Sequence, residues 1–552
     1  MSKHSPTTMK IAHDSFITIK KTDYIPMKIN RTIRILLVIA TPFLLLPLIS
    51  YINKTESPST VEQVNNYSPG NVIDTNRIQT KTVIDRLNGP WELLWGPDNQ
   101  LWFTEQDGKI SKVDPKTGKR TNLIHIKEVY KKRLALLSMA IHPDFKKHPF
   151  VFVNYIFLRD SLVFKKLVRY DYVPDTLINP RVLMEYPAST GHMGSRMLIA
   201  PDGKLLWATG DGQYRKDAQD LNSVKGKVLR LNIDGSIPDD NPIKGNPVWA
   251  YGFRVPQGMA LSTNGNLYTA EHGDAIGDEV NLVVKGANYG WPHVEGKADL
   301  KEELAFAKEN NSKDPLFDWT PTVAPAGLAY YHSDAIPEFK NTLLMVTLKN
   351  QSLRILKLNP AGDKVMSETV ALEQKFGRLR SVCVSPEGEI FVSTSNRDWN
   401  PGPGYPKLTD DKIIRITYSK NTPLIAKTTP LKKKPVVKTQ SGVSKLSAGA
   451  VIYNNYCSSC HKPNGEGIPG MFPPLKEVPQ FIGKKDQFIK ILLKGLSGPI
   501  VVKGAKYDQH MPAFNFLTDA QLADVATYVR ISFGNKGTKV TAAEIKAARS
   551  VK

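Results

Sequence analysis

The sequence predicts a mainly β protein, a six-bladed β-propeller followed by a small all-α domain. Three observations carry this expectation. A unit of short apolar strands and Gly-containing turns recurs six times between residues 80 and 420. Two helical patterns bracket a Cys-x-x-Cys-His motif in residues 447–535. Between them, residues 421–446 mix Pro, Lys and Thr and read as an extended, charged linker. At 552 residues the chain is too long for one ordinary core, which agrees with this division.

Each repeat is an apolar strand, a Pro-Asp-Gly-like turn and a second apolar strand, often continued by Gly-Lys and a third. Copies start at Trp91 (WELLWGPDNQLWFTEQDGKISKVD), Leu137 (LSMAIHPDFKKHPFVFVNYIF), Met197 (MLIAPDGKLLWATGDG), Met259 (MALSTNGNLYTAEHG), Ala326 (AGLAYYHSDAIPEFKNTLLMVTLKNQSLRILKL) and Ser381 (SVCVSPEGEIFVSTSNR). Short strands with turn residues in register are the signature of propeller blades. One blade cannot bury both its faces, so blades stack around an axis. Six units spread over residues 80–420 leave insertions longer than compact blades of ~40–50 residues need. Insertions on one face are where a propeller builds its site. A β-sandwich or two β domains is the competing fold, and six similar hairpin units argue against it.

The small domain carries Cys457-Ser458-Ser459-Cys460-His461. Two thiols at this spacing add to the vinyl groups of a haem, and the adjacent imidazole becomes the proximal iron ligand. A zinc site would need further ligands, and the chain has three cysteines in all. The third, Cys383, lies in an apolar strand pattern and reads as a small buried hydrophobe. Ala448, Ile452 and Tyr456 lie one turn apart, as on one face of a helix entering the motif. Thr518 and Gln521 form a capping-box pattern ahead of the stripe Leu522, Val525, Ala526 and Val529. This arrangement resembles small class I cytochromes c. The resemblance implies a soft sixth ligand before the last helix, and Met511 in Met511-Pro512 is positioned for it. Met471 and His510 are its rivals.

The N-terminal part supplies a compartment. Residues 35–52 (ILLVIATPFLLLPLISYI) are almost wholly apolar and come after Lys20, Lys21, Lys28, Arg31 and Arg34 in a basic arm, residues 1–34. Positive charge before an apolar run keeps the N-terminus inside and exports the chain beyond the run. The run falls between a signal core of about 7–15 residues and a spanning helix of about 20. It ends without an A-x-A site or a lipid-accepting cysteine, so an uncleaved membrane anchor is favoured over a cleaved signal. Met27 opens a more usual start, MKINRTIRILL. Residues 53–79 are polar and read as a tether. The protein is thus expected on the periplasmic side of the cytoplasmic membrane, or secreted to the periplasm. Its formal charge of +22 lies largely in the arm, in Lys432-Lys433-Lys434 and in the basic tail, residues 536–552. No basic helix interleaved with aromatics suggests nucleic acid.

Within the propeller, Thr190-Gly191-His192-Met193-Gly194-Ser195-Arg196, Pro201-Asp202-Gly203 and Gly210-Asp211-Gly212 occur in order. They continue as Ala218-Gln219-Asp220-Leu221, YGFRVPQGMAL from Tyr251, EHGDAIGDEVNLVVKGANYGWP from Glu271 and TSNRDWNPGP from Thr394. Together they resemble the pyrroloquinoline quinone (PQQ) dependent soluble glucose and aldose sugar dehydrogenases. The resemblance implies that His192 takes a proton while hydride leaves the sugar, a role suited to imidazole. It places Arg254 near the quinone, and Gln219, Lys349, Arg378 and Arg380 against PQQ. Arg378 and Arg380, two apart on a strand, face the same way and can clamp carboxylates. It implies a calcium ion held by backbone oxygens of Gly273 and Asp274, with Asp278 and Glu279 binding calcium or supporting the loop. Two departures stand out: Val255 replaces a polar family residue, and Asp274 stands where some relatives have proline.

These expectations combine into a sugar-oxidising quinohaemoprotein holding PQQ, one haem c and Ca²⁺. Its partners would be an aldose and a downstream acceptor, whether a cytochrome, an oxidase or the quinone pool. The competing reading is a carbohydrate-binding or sensor propeller with a haem module and no PQQ chemistry.

Overall fold

A computed structural model describes residues 73–131, 135–419, 447–479 and 483–550. The basic arm with Met27, the apolar run 35–52, the tether up to residue 72 and the linker 421–446 lie outside the described residues. Among the described residues, no helix is long and apolar enough to cross a membrane.

Six four-stranded antiparallel sheets form the propeller. Strands β2 (Pro90–Trp95), β6 (Leu136–Ile141), β10 (Ser195–Ile199), β14 (Val255–Leu261), β18 (Pro325–Tyr331) and β22 (Leu379–Val384) open the six blades. Every repeat start identified above falls on one of these first strands. Each first strand neighbours the next, and β2 meets β22, so they close a ring. The strands read as near-continuous apolar runs because sheets cover both of their faces. Thus Leu343, Leu344, Met345 and Val346 of Thr342–Thr347 are all fully buried. Cys383 is buried on β22 beside Phe391, as its apolar surroundings suggest.

The last blade is completed by the beginning of the domain. Strand β1 (Ile78–Ile84) pairs antiparallel with β24 (Ile413–Tyr418), Ile78 opposite Tyr418 and Thr82 opposite Ile414. The chain therefore joins the propeller at Ile78 rather than at residue 80. Ahead of it Ile73, at the end of the expected tether, packs into the core of the neighbouring blade. The second blade departs most from the repeat. Its strands β7 (Phe150–Arg159), β8 (Leu162–Val173) and β9 (Thr176–Pro187) run long, and the last two lie outside the repeat pattern of the sequence.

The haem domain is a small helical cluster. Helix Ala448–Tyr456 packs across helix Asp519–Ile531. Gly449 permits the crossing, because a Cβ there would lie 2.2 Å from Asp524 O. The buried stripe of the first helix is Ala450, Ile452 and Tyr453 running on to Cys457. Of the expected face, Ile452 is buried and Tyr456 packs against the core, and one residue departs from it. Ala448 is exposed, since an i, i+4, i+8 row drifts off the contact line, whereas mixed steps of three and four stay on it. The capping box at Thr518 and Gln521 forms, and Leu522, Val525, Ala526 and Val529 are buried as expected. The basic tail contains a further helix, Ala542–Ser550, whose Ile545 is buried in the same core.

Candidate active site

His192 lies on the loop before β10, with a left-handed backbone conformation (φ 47°). Two contacts hold that loop. Lys165 Nζ donates to Met193 O and Gly194 O at 2.9 Å each. Gly210 lets the facing turn approach, because a Cβ there would lie 2.0 Å from His192 O. The imidazole Nδ1 is 2.8 Å from Asp211 Oδ1. Asp211 also accepts from the Gln213 backbone N–H and from Trp291 Nε1, each at 2.8 Å. A carboxylate so placed favours the proton on Nδ1 and leaves the Nε2 lone pair facing Arg254 Nη2 at 3.1 Å. Burial and Arg254 push the His192 pKa below its ordinary value, against the opposing pull of Asp211. Burial pushes Asp211 up, but His192 and Arg254 outweigh it and the net shift is down.

Arg254 is the hub of this cluster. Its Nη2 donates to Asp274 Oδ1 at 2.6 Å, and its backbone N–H donates to Glu271 Oε2 at 2.7 Å. Its buried Nε has no hydrogen-bond partner. Asp274 also accepts from Arg215 Nη1 at 2.7 Å. A small cavity, of about 10 Å³, adjoins the cluster, lined in part by Arg254, Trp291 and three carboxylates, Glu271, Glu279 and Glu295. Burial pushes Glu271 and Glu295 each up to about 8. Glu279 is raised by burial and then by Glu271 opposite it on the neighbouring strand.

Arg378 and Arg380 do face the same way. Arg378 Nη2 and Arg380 Nη2 reach the same oxygen, Asp398 Oδ2, at 2.9 and 3.1 Å. The Arg380 Nε is buried without a partner, and burial lowers the Arg380 pKa to about 10 against the pull of Asp398. One carboxylate against two guanidiniums leaves an excess of positive charge. Asp398→Asn keeps one acceptor but removes the negative charge, which enlarges that excess, and is expected to lower stability by about 1–3 kcal/mol. Denaturant unfolding of the two proteins checks this.

The other expected residues divide. The Gln219 amide is taken up by Asn288 and the Trp291 carbonyl, so it shapes the loop carrying Trp291. Lys349 Nζ donates to Thr322 Oγ1 at 2.8 Å and to Asn455 O of the haem domain at 2.5 Å. The Asp278 carboxylate accepts the backbone N–H groups of Gly273, Val323 and Ala324, which makes it a support for the Gly273 turn. Glu279 accepts from Gly296 N and Asn281 Nδ2. Among the described residues, no group of three His, Cys, Asp or Glu side chains is placed to hold a metal. Val255 is buried and makes no side-chain polar contact.

In the haem domain, Cys457 and Cys460 are unpaired thiols and His461 is buried. His461 Nδ1 lies 2.8 Å from Pro473 O, a hydrogen bond that fixes the ring and leaves Nε2 for a metal. This donor set fits a covalently attached haem. Met511 packs on the domain core, and its backbone pairs with Leu496 in both directions. His510 turns to the propeller instead. Its Nε2 lies 2.7 Å from Arg215 Nη1 and 3.2 Å from Asp274 Oδ2, and its Nδ1 lies 2.9 Å from Ser497 Oγ.

Asp211, Asp398, Trp291 and Lys165 are site residues that the sequence reading does not single out. Asp211 lies in the quoted Gly210-Asp211-Gly212 turn, and that turn is the one available signal for it.

Residues 87–400 match the Glucose / Sorbosone dehydrogenase family and residues 446–532 match Cytochrome c. The chain is 32% identical over 435 residues to quinoprotein glucose dehydrogenase B of Acinetobacter calcoaceticus, spanning 61% of this chain and 90% of that protein. It is 42% identical over 113 residues to cytochrome c-552 of Thermus thermophilus, across 19% of this chain and 86% of that one. The PQQ-bound aldose sugar dehydrogenase of Streptomyces coelicolor superimposes with a TM-score of 0.54 at 30% identity, covering 62% of this chain and 98% of that structure. The chain belongs to the glucose/sorbosone dehydrogenase family, with a cytochrome c domain fused behind the propeller.

Proposed function

We propose that this protein oxidises an aldose at C1 with PQQ as the first electron acceptor and the fused haem as the next. The observation that carries this reading is the buried Asp211–His192–Arg254 array, set beside guanidinium nitrogens that lack acceptors. PQQ is an anionic ortho-quinone, so unpartnered Nε–H groups on Arg254 and Arg380 suit its oxygens. When bound, it would supply the hydride-accepting centre. Arg378, Arg380 and Lys349 would hold it.

The protein's own part is to bind, orient and move a proton. His192 Nε2 accepts the proton of the sugar hydroxyl, and Asp211 keeps the ring in the tautomer able to do so. Arg254 stabilises negative charge next to that atom. Calcium would lie on the Gly273 and Asp274 carbonyls. Among the described residues neither carbonyl is taken by a hydrogen bond, which suits a hard cation. His461 Nε2 and Met511 Sδ would ligate the haem iron, and the outward engagement of His510 supports Met511 over that rival. The protein would work on the periplasmic side of the cytoplasmic membrane and deliver electrons to a cytochrome, an oxidase or the quinone pool.

The test is to add PQQ and Ca²⁺ to the haem-loaded protein and offer a panel of aldoses. Reduction of the ferric haem by one or more sugars is expected. A haem that no sugar reduces, with or without a small dye, sinks the dehydrogenase reading and leaves a binding or sensor propeller.

His192 also sets a pH dependence. Its pKa lies below 6.5, so the ring stays neutral and able to accept a proton down to lower pH than an ordinary histidine. The acid limb of kcat/KM should therefore fall below pH 6.5. Arg254→Gln removes a neighbouring positive charge, so the limb should move to higher pH, as a pH–rate profile in both proteins can show.

A further inference from the structure

The haem motif and the candidate quinone pocket occupy one interface. On the propeller side it is made by the loops that carry the site. Gln213 Nε2 donates to Gln509 Oε1 at 2.6 Å. Arg215 and Asp274 meet His510, next to the proposed iron ligand. Asn400 Nδ2 donates to Ser459 O at 2.8 Å, between the two haem cysteines, and Lys462 Nζ donates to Asn400 Oδ1 at 2.6 Å. Trp399 and Phe472 rings pack at 6.0 Å, and Ala275 joins the haem-domain core.

We propose that this face is a built docking surface for the chain's own haem domain and the route by which the haem is reduced. This rests on the dehydrogenase reading above. Three features mark it as a docking surface. The contacts converge on the haem attachment, at Asn455 before it, Ser459 within it and Lys462 after it, and at Gln509 and His510 near the distal side. They are mainly polar, as in electron-transfer encounters that must form and release. Both partners lie on one chain, so a weak contact is populated by effective concentration. Asp274 binds Arg254 with one oxygen and Arg215 and His510 with the other, which ties the haem domain to the arginine beside His192. Oxidising an aldose to its lactone releases two electrons and two protons. Ferric haem takes one electron at a time, passes it to an external one-electron acceptor such as ferricyanide, and the protons go to solvent.

The test uses the full chain with Trp399→Ala and Asn400→Ala together, which removes the ring packed on Phe472 and the side chain bonded to Ser459 and Lys462. Neither residue holds the sugar, the quinone or the iron, and the haem domain is left unaltered. Losing these contacts should slow aldose-driven haem reduction by about tenfold. Aldose-driven reduction of phenazine methosulfate should stay within about twofold of wild type, since a small dye needs no docking. In haem-loaded protein without PQQ, amides of residues 212–216 and 398–402 should exchange with deuterium faster in the variant. Unchanged haem reduction with normal dye turnover overturns the proposal, and so does unchanged amide exchange. If wild type reduces neither dye nor haem, the dehydrogenase reading fails, and amide exchange still decides whether the surface docks the haem domain.

Discussion

His192→Ala should lower aldose turnover by about 10²–10⁴-fold, the usual contribution of one positioned general base. The size of the effect reflects how much of the pocket is arranged around this ring. Asp211 binds Nδ1 and is itself fixed by Gln213 N and Trp291 Nε1. Lys165 and Gly210 hold the loop that presents it. The nearby His272 is no substitute. Its Nε2 is spent on the Pro325 carbonyl, and burial drives its pKa down to about 3. The haem spectrum should not change, because His192 lies in the propeller and not among the candidate iron ligands. Steady-state assays with dye and with haem as acceptor should fall together. A variant that keeps wild-type turnover would remove His192 from the mechanism.

Cys457→Ala combined with Cys460→Ala should abolish covalent haem attachment. Neither thioether can form, so denatured, acid-extracted protein should carry no haem absorbance. Sugar-dependent reduction of an external dye should survive, since the residues proposed to hold the quinone all belong to the propeller. The two substitutions also truncate a buried position, Cys457, in the core of the haem domain. A loss of roughly 1–2 kcal/mol from that domain is therefore expected in addition to the missing haem. Mass spectrometry of the intact chain reads attachment, and dye reduction reads the propeller.

Much of the architecture is legible in the sequence because it is periodic. Strand–turn–strand units repeat, and residues such as Trp91, Met197 and Ser381 mark the first strand of each blade. The haem motif is legible because its chemistry needs Cys, Cys and His at one fixed spacing. Arg378 and Arg380 can be paired from their separation alone. Their shared anion cannot, because Asp398 returns to them through the fold rather than along the strand. Asp278 takes one of the two roles expected of it, support of the Gly273 turn, and its choice is illegible in sequence because a carboxylate that caps three backbone N–H groups looks there like any metal ligand. The long strands of the second blade are hidden because exposed stretches such as residues 178–182 interrupt the apolar pattern. The contacts between Gln213 and Gln509, or Asn400 and Ser459, join residues far apart in the chain and carry no local signal.

The closing strand has a consequence for biogenesis. Ile78–Ile84 is among the first parts of the propeller to be made, yet its hydrogen-bonding partner, Ile413–Tyr418, is the last. Until that partner emerges, the first blade has no neighbour on one side, and an unpaired strand edge stays open to wrong pairing. Ring closure is thus a late, long-range event with a high loop-closure cost. Because Ile413–Tyr418 precedes Cys457 in the chain, the strand that closes the ring emerges before the segment that carries the Cys-x-x-Cys-His motif.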